Sequence, residues 1–179
     1  GFDERFPRAD NEDTELSYRL LKKGHALALA PGAVVRHLHP DTLSGYLRRK
    51  ASRGYWRTQV YRLYPEKAVT DRYTTLPVRL GTLAAMAWIA GSLAGLMALP
   101  LAGGTALAAA QACPAAIVAS AWPMTKKNWR TDRRLAAATP GLILLRGMAL
   151  ASGVLWGLLR PTPGLCPGKR GKGDDNISR

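Results

Sequence analysis

Cysteine and acidic residues are scarce in this sequence. Its 179 residues include two cysteines, Cys113 in an apolar stretch and Cys166 near the end, which excludes a disulfide framework and a Cys-x-x-Cys metal site. There are 12 acidic residues against 26 lysines and arginines, so the net charge is +14. This positive charge suits either a nucleic acid or an anionic membrane surface, and the low cysteine content fits a reducing compartment.

Charge is almost absent from residues 80–122. Residues 80–101 form a continuous apolar run that would be about 33 Å long as a helix, which is enough to cross a bilayer. Residues 105–122 form a second, alanine-rich apolar stretch that is interrupted by Pro114. The uncharged turn between the two stretches predicts a transmembrane hairpin over residues 77–123.

Basic residues flank the predicted hairpin on both sides. Arg72 and Arg79 precede its apolar core, and residues 126–134 after it contain five lysines and arginines. The positive-inside rule places both flanks in the cytoplasm, which predicts a multi-pass protein of the inner (cytoplasmic) membrane. The membrane accounts for the basic composition without a nucleic acid, and the sequence has no recognisable nucleic-acid-reading motif.

Two further regions follow the hairpin. Residues 124–160 combine a basic loop with an apolar stretch at 141–159 that contains Arg146. A third crossing would bury that charge and export the basic residues behind it, so an interfacial or re-entrant helix is favoured over a third membrane span. Residues 161–179 are rich in glycine, proline and charge and are predicted to be disordered.

A long amphipathic helix is predicted upstream of the hairpin, over residues 42–64, with an interruption near Gly54. Its aromatic and aliphatic side chains alternate with six lysines and arginines. Aromatic residues beside many arginines are typical of a helix at the interface between a membrane and water. This helix closes a first unit over residues 1–76.

Acidic residues concentrate near the N-terminus. Three carboxylates lie within four residues, Glu12, Asp13 and Glu15. A capping Asp10 or Asn11 before them and Gly24 after them predict a helix between these points. Carboxylates in a first turn most often act only as caps and as partners of the helix dipole, but an accessible one is also well placed to act as a base. Spacing alone leaves both interpretations open.

A larger set of residues in this region matches a known motif in order and spacing. The set is Phe2, Asp3, Glu4, Phe6, Glu12, Asp13, Thr14, Glu15, Leu16, Arg19 and Gly24. It resembles the acceptor-side motif of family 2 glycosyltransferases, and the resemblance extends to about residue 64 and more loosely into the membrane segments. It implies an α/β fold: the C-terminal half of a GT-A (nucleotide-diphospho-sugar transferase) domain over residues 1–76, followed by transmembrane and interfacial helices. Residues 25–30 and 33–36, on either side of a Pro-Gly turn, are predicted to be short extended strands.

The resemblance also implies an activity and a set of site residues. The implied reaction is an inverting transfer of a sugar from a nucleotide-sugar donor to a membrane-associated acceptor, either a lipid-linked saccharide or a cell-envelope glycan precursor. Asp13 would be the catalytic base, and Glu12 would orient it or bind an acceptor hydroxyl. His37 would help to hold a divalent cation, Mg²⁺ or Mn²⁺, and His39 is a weaker candidate. Without the resemblance, histidines at strand ends are more often solvated or hydrogen-bonded.

The sequence departs from the family pattern at one motif. Processive members carry Gln-x-x-Arg-Trp near residues 52–57, where this sequence reads SRGYWR. The departure favours the addition of a single sugar over polymerisation. It leaves open a role for Arg53 and Trp56 in binding, with packing at the interface as the favoured interpretation.

The start of the sequence carries a further expectation. It opens without a methionine or a signal peptide, and the nucleotide-sugar half with its Asp-x-Asp motif would precede residue 1. The chain is therefore expected to be a fragment that is inactive alone, with the cation bound mostly by the absent N-terminal half. The alternative is a non-catalytic membrane-anchoring or interaction module, in which Glu12 and Asp13 only cap a helix.

Overall fold

The computed structural model of this protein describes residues 1–7, 9–36, 39–71, 74–97, 99–102 and 104–162. Within these residues the chain forms nine α-helices. In chain order they are α1 Glu12–Lys22, α2 Leu43–Leu63, α3 Lys67–Thr70, α4 Leu76–Met97, α5 Leu99–Ala102, α6 Thr105–Ala110, α7 Ala112–Ser120, α8 Trp122–Trp129 and α9 Arg133–Leu159. The long connection between α1 and α2 contains residues 25–30 and 33–36, for which the sequence predicts strands.

The prediction of an α/β fold is wrong, because no strand occurs in the described part of the chain. Residues 25–30 and 33–36 are exposed and form no regular secondary structure. The turn between them does form, and there the Ala33 N–H donates to the Ala30 carbonyl. A strand is stable only when its backbone groups pair with a neighbouring strand, and these short segments have none among the described residues. Residues 1–76 therefore do not build half of a GT-A domain.

Helix α1 begins and ends where the sequence predicts, but its N-terminus is not capped as expected. Asn11 occupies the capping position with a left-handed φ of 70°, and its side chain makes no capping hydrogen bond. Its amide donates instead to Asp10 Oδ1 at 3.0 Å and to the carbonyl of Arg53 at 3.4 Å. Gly24 ends the helix with a φ of +84°, a conformation that glycine adopts without steric cost.

An aromatic core joins the N-terminal segment to α2. It consists of five buried side chains, Phe6, Tyr18, Trp56, Val60 and Tyr64. The rings of Phe6 and Trp56 lie 5.2 Å apart, and those of Tyr18 and Tyr64 meet edge to face at 5.7 Å. Aromatic pairs of this kind add to the burial of apolar surface, so α1 is held firmly against the C-terminal half of α2.

Helix α2 is continuous through Gly54, where an interruption was predicted, and packs closely on α9. Gly54 touches the α9 backbone at Leu150, and Gly153 and Gly157 of α9 touch α2. A Cβ atom on Gly153 would overlap the carbonyl oxygen of Ala51, so only glycine permits this approach. The two helices run in parallel, because Gly54 meets Leu150 and, one turn further on, residue 58 meets Gly157.

Helices α4, α6, α7 and α9 pack together around a second core. Its fully buried members are small or branched apolar side chains, Ala85, Ile117 and Ala151. Among the described residues, α4 and α9 are long and apolar enough to cross a membrane, at 22 and 27 residues. By length and composition they indicate association with a membrane.

The structure agrees only in part with the other predicted membrane segments. Residues 105–122, the predicted second crossing, are built from the short helices α6 and α7 with a turn at Gln111 between them. The stretch at 141–159 lies within α9, which continues through Pro140. The tail predicted to be disordered, from residue 163 onwards, lies outside the described residues.

Candidate functional site

The side chains of the glycosyltransferase-like motif divide into structural contacts and accessible groups. Asp3 belongs to the first kind, because its carboxylate forms an ion pair of 2.5 Å with the guanidinium of Arg5. The hydrogen bonds from Arg5 lower the pKa of Asp3 below its ordinary value. Asp3 is thus held ionised and engaged by a neighbouring residue.

Glu15 is also a structural residue, although it lies in the first turn of α1 beside Asp13. Its side chain is buried, and its carboxylate lies 3.2 Å from Arg19 Nε and accepts the hydroxyl of Tyr64 at 3.0 Å. Arg19 in turn donates to the carbonyl of Gly1 at 2.7 Å. Burial and the charge of Glu15 raise the pKa of Tyr64 to about 12. This buried network ties α1 to both the N-terminal segment and α2.

Asp13 remains accessible at the start of α1. Its side chain is exposed, and Oδ1 accepts the backbone N–H of Thr14 at 2.6 Å and the Thr14 hydroxyl at 3.2 Å. An exposed carboxylate in a first helical turn can accept a proton from a bound hydroxyl group. Asp13 thus has the accessibility that the base role requires.

Glu12 differs from Asp13 in its surroundings. The residue is half-buried, and its buried Oε2 atom has no hydrogen-bond partner among the described residues. Buried carboxylate oxygens normally have partners, so this atom is an unused acceptor.

The start of α1 is fixed on α2. The Asn11 amide contacts the Arg53 carbonyl, and Phe6 packs on Trp56. Trp56 is therefore a packing residue of the aromatic core. The side chain of Arg53 is exposed and lines a cavity on α2. Glu12 and Asp13 thus lie near α2, a helix that carries six lysines and arginines.

The predicted metal ligand cannot be placed. His37 lies outside the described residues, and His39 is exposed. Among the described residues no three His, Cys, Asp or Glu side chains are grouped so that they could hold a metal ion. The described part of the chain therefore does not fit a complete divalent-cation site, and a contribution of His37 stays a prediction.

Sequence patterns miss two features that position the site. One is the contact between Glu15 and Tyr64, which are 49 residues apart. The other is the glycine pair Gly153 and Gly157, which brings α9 against α2. The Gly-x-x-x-Gly spacing of the pair is a visible signal for close helix packing, whereas nothing in the sequence pairs Tyr64 with a carboxylate.

Comparisons with known proteins add no family to this description. No protein-family model, no curated protein and no solved structure matches the chain. The function is therefore inferred from the motif residues and from the geometry around them.

Proposed function

We propose that this chain provides the acceptor side of a membrane-associated glycosyl transfer, in which one sugar passes from a nucleotide-sugar donor to a lipid-linked or glycan acceptor. One observation carries the proposal: the acidic residues of the motif have different surroundings. Asp3 and Glu15 are engaged by arginines, whereas Asp13 is exposed at the start of α1. Asp13 is therefore the carboxylate of the first turn that a bound hydroxyl group can reach.

The proposed reaction assigns a role to Asp13 and to Glu12. Asp13 accepts the proton of the acceptor hydroxyl while that oxygen forms a bond to the anomeric carbon of the donor sugar. The bond between the anomeric carbon and the diphosphate oxygen breaks, and the nucleoside diphosphate leaves with the bonding electrons. Glu12, the neighbour of Asp13 in the first turn of α1, is assigned to orient Asp13 or to bind a second hydroxyl of the acceptor. Because the described residues do not form a metal site, no step is assigned to a cation.

A position at the cytoplasmic face of the inner membrane belongs to the same proposal. Helix α4 crosses the bilayer, while α2 and the C-terminal half of α9 lie at its surface. The packing of α2 on α9 supports this placement, because α2 carries six lysines and arginines and no acidic residue in its 21 residues. Each such charge costs about 2.5–3.5 kcal/mol at the centre of a bilayer, so α2 cannot accompany α9 through the hydrocarbon.

The test is glycosyl transfer by membranes from cells that express the entire reading frame encoding these residues. The parent and an Asp13→Asn variant are compared on a panel of nucleotide sugars and lipid acceptors. Loss of the base is expected to lower turnover by about 10²–10⁴-fold while membrane insertion and donor binding are unchanged.

Asp10→Asn is the matched control, because it makes the same carboxylate-to-amide change three residues earlier, at a residue whose carboxylate accepts a hydrogen bond from its neighbour Asn11. Its turnover is expected to equal that of the parent. Equal turnover of the Asp13→Asn variant and the parent would refute the assignment of the base.

A non-catalytic membrane anchor is the second candidate, and the all-helical fold with its basic helix α2 favours it. In that case Glu12 and Asp13 serve only the start of α1. Transfer would then be undetectable in the parent and in both variants, and the Asp13→Asn change would affect only the stability of the chain.

A further inference from the structure

A cavity of about 480 Å³ lies where α2, α4 and α9 meet. Cavities of this size hold small ligands or parts of larger ones. Five cationic side chains from the three helices line it: Lys50, Arg53, Arg57, Arg79 and Arg146. No carboxylate is present among the described side chains that line it. The cavity is therefore strongly electropositive.

Two of the five cations are occupied by the protein itself. Arg57 lies 3.4 Å from the carboxylate of Asp71, and the pair is largely buried. Arg79 donates to backbone carbonyl oxygens, including those of Val69 and Thr74, each at 2.9 Å. These contacts hold the segment before α4 in place and close one side of the cavity.

The other three cations, Lys50, Arg53 and Arg146, have no hydrogen-bonding or ion-pair partner for their charged groups in the described part of the chain. Lys50 lies 5.0 Å from the ring centroid of Tyr46, a contact that orients the ammonium without neutralising it. Burial and the nearby charges of Arg53 and Arg146 lower the pKa of Lys50 below its ordinary value. Three like charges around one cavity repel each other unless an anion lies between them.

The position of Arg146 strengthens this argument. It lies at the middle of α9 and is the one charged residue between Leu135 and Leu159. In α9 the side chain is half-buried and lines the same cavity as the two unpartnered cations of α2.

Part of the cavity wall is apolar. Leu83 and Met86 of α4 and Leu150 of α9 contribute to it. Gly147, which follows Arg146 in α9, lies close to Gly81 and Ala85 of α4, so Arg146 is near the apolar part of α4. Helix α4 is one of the two helices long enough to span a membrane.

We propose that Lys50, Arg53 and Arg146 bind the phosphate group of an anionic lipid that carries a phosphomonoester head. Its hydrocarbon chain lies against Leu83 and Met86. Arginine and lysine together are the common ligands of a phosphate, and the apolar wall on a membrane-type helix selects an amphiphile over a free anion. The inference does not rest on glycosyl transfer, since none of these residues belongs to the proposed catalytic pair.

Binding to the full chain in detergent tests the proposal. The ligands are dioctanoyl phosphatidic acid, dioctanoyl phosphatidylcholine and inorganic pyrophosphate, each titrated by calorimetry. Phosphatidic acid is expected to bind at least about tenfold more tightly than either of the others, because only it offers both a phosphomonoester and a hydrocarbon chain.

The variant pair Arg53→Gln and Arg146→Gln, made together, is expected to weaken the binding of phosphatidic acid by about tenfold or more. The control is Arg48→Gln with Arg134→Gln, which removes the same charge from the same two helices at exposed residues that do not line the cavity. The control is expected to bind within about twofold of the parent. The Asp13→Asn variant is expected to bind as the parent does, so that a failure of the transfer reaction and a failure of lipid binding are distinguishable.

Equal affinity for the two lipids, or unchanged affinity in the Arg53 and Arg146 variant, would overturn the proposal. Pyrophosphate that binds as tightly as phosphatidic acid would show that the ligand is a free phosphate compound rather than a lipid. Circular dichroism checks that the variants fold. Should the double variant unfold, Lys50→Gln provides the same test, because it removes a half-buried charge that the neighbouring arginines repel.

Discussion

Two buried tyrosine side chains, Tyr18 and Tyr64, connect α1 to the end of α2. Burial raises the pKa of each to about 12, helped by the charge of Asp71 at Tyr18 and of Glu15 at Tyr64. A tyrosine in an unfolded chain has a pKa of about 10. Between pH 10 and pH 12 the folded chain therefore retains the hydroxyl protons of Tyr18 and Tyr64, which the unfolded chain loses. Their contribution to stability is fully present below pH 10 and is lost as the pH rises towards 12.

We therefore expect at least two of the six tyrosines of the chain to ionise late in an alkaline titration followed by ultraviolet absorbance, and burial also raises the pKa of Tyr61. The free energy of unfolding, measured by chemical denaturation, should fall over the same pH range. A Tyr64→Phe variant should lose one late-ionising group. Ionisation of all tyrosines in one step near pH 10, while the fold is intact, would contradict the burial of this pair.

The acidic residues of α1 show where sequence patterns are informative and where they are not. Their spacing places Glu12, Asp13 and Glu15 in one helical turn, and the structure agrees. The pattern does not indicate which of them is available for chemistry. The availability of each carboxylate depends on its contacts. Tyr64 and Arg19 contact the carboxylate of Glu15, whereas the side chain of Asp13 is exposed.

The pairing of α2 with α9 depends on glycines at the contact. Gly153 lies against the carbonyl of Ala51, and any Cβ there would meet backbone, which cannot move aside as a flexible side chain can. A Gly153→Ala substitution should therefore separate the helices and destabilise the chain by about 1–3 kcal/mol. The measurement is the free energy of unfolding in detergent.

Gly141→Ala is the matched control on the same helix, because a Cβ at Gly141 meets nothing within 4 Å. Alanine favours a helix by about 0.5–1 kcal/mol over glycine, so this variant should be as stable as the parent or slightly more stable. If both substitutions had the same effect, close packing at Gly153 would not determine the pairing.

The arrangement of the chain at a membrane follows from how these helices combine. The proposed placement of α4 across the bilayer and of α2 at its surface predicts that a cysteine at Arg49 of α2 reacts with a membrane-impermeant maleimide, and that one at Ala87, in the middle of α4, does not. The Arg49→Cys and Ala87→Cys variants are made in a chain whose native cysteines, Cys113 and Cys166, are replaced by alanine. Labelling in inverted membrane vesicles is the measurement.

Detergent should make both introduced cysteines reactive, which controls for the intrinsic reactivity of each. Protection of the Arg49→Cys variant to the same extent as the Ala87→Cys variant would mean that α2 is buried in the hydrocarbon. The interfacial placement of α2 and α9 would then be wrong.

Local signals in the chain predict the elements that depend on neighbouring residues. The first-turn carboxylates and Gly24 predict α1, and the uncharged run after Arg79 predicts most of α4. The amphipathic pattern over residues 42–64 predicts α2 to within one residue at each end. The predicted strands fail because a strand needs a partner, which its own residues cannot supply.

Tertiary structure decides the features on which function depends. The burial of Glu15, the exposure of Asp13 and the cavity between α2, α4 and α9 all require contacts between residues far apart in the chain. Lys50 and Arg146 are 96 positions apart, and each alone looks like an ordinary basic residue. Charge and apolarity are properties of the sequence, but the shape that brings three cations together beside an apolar wall exists only after the helices have packed.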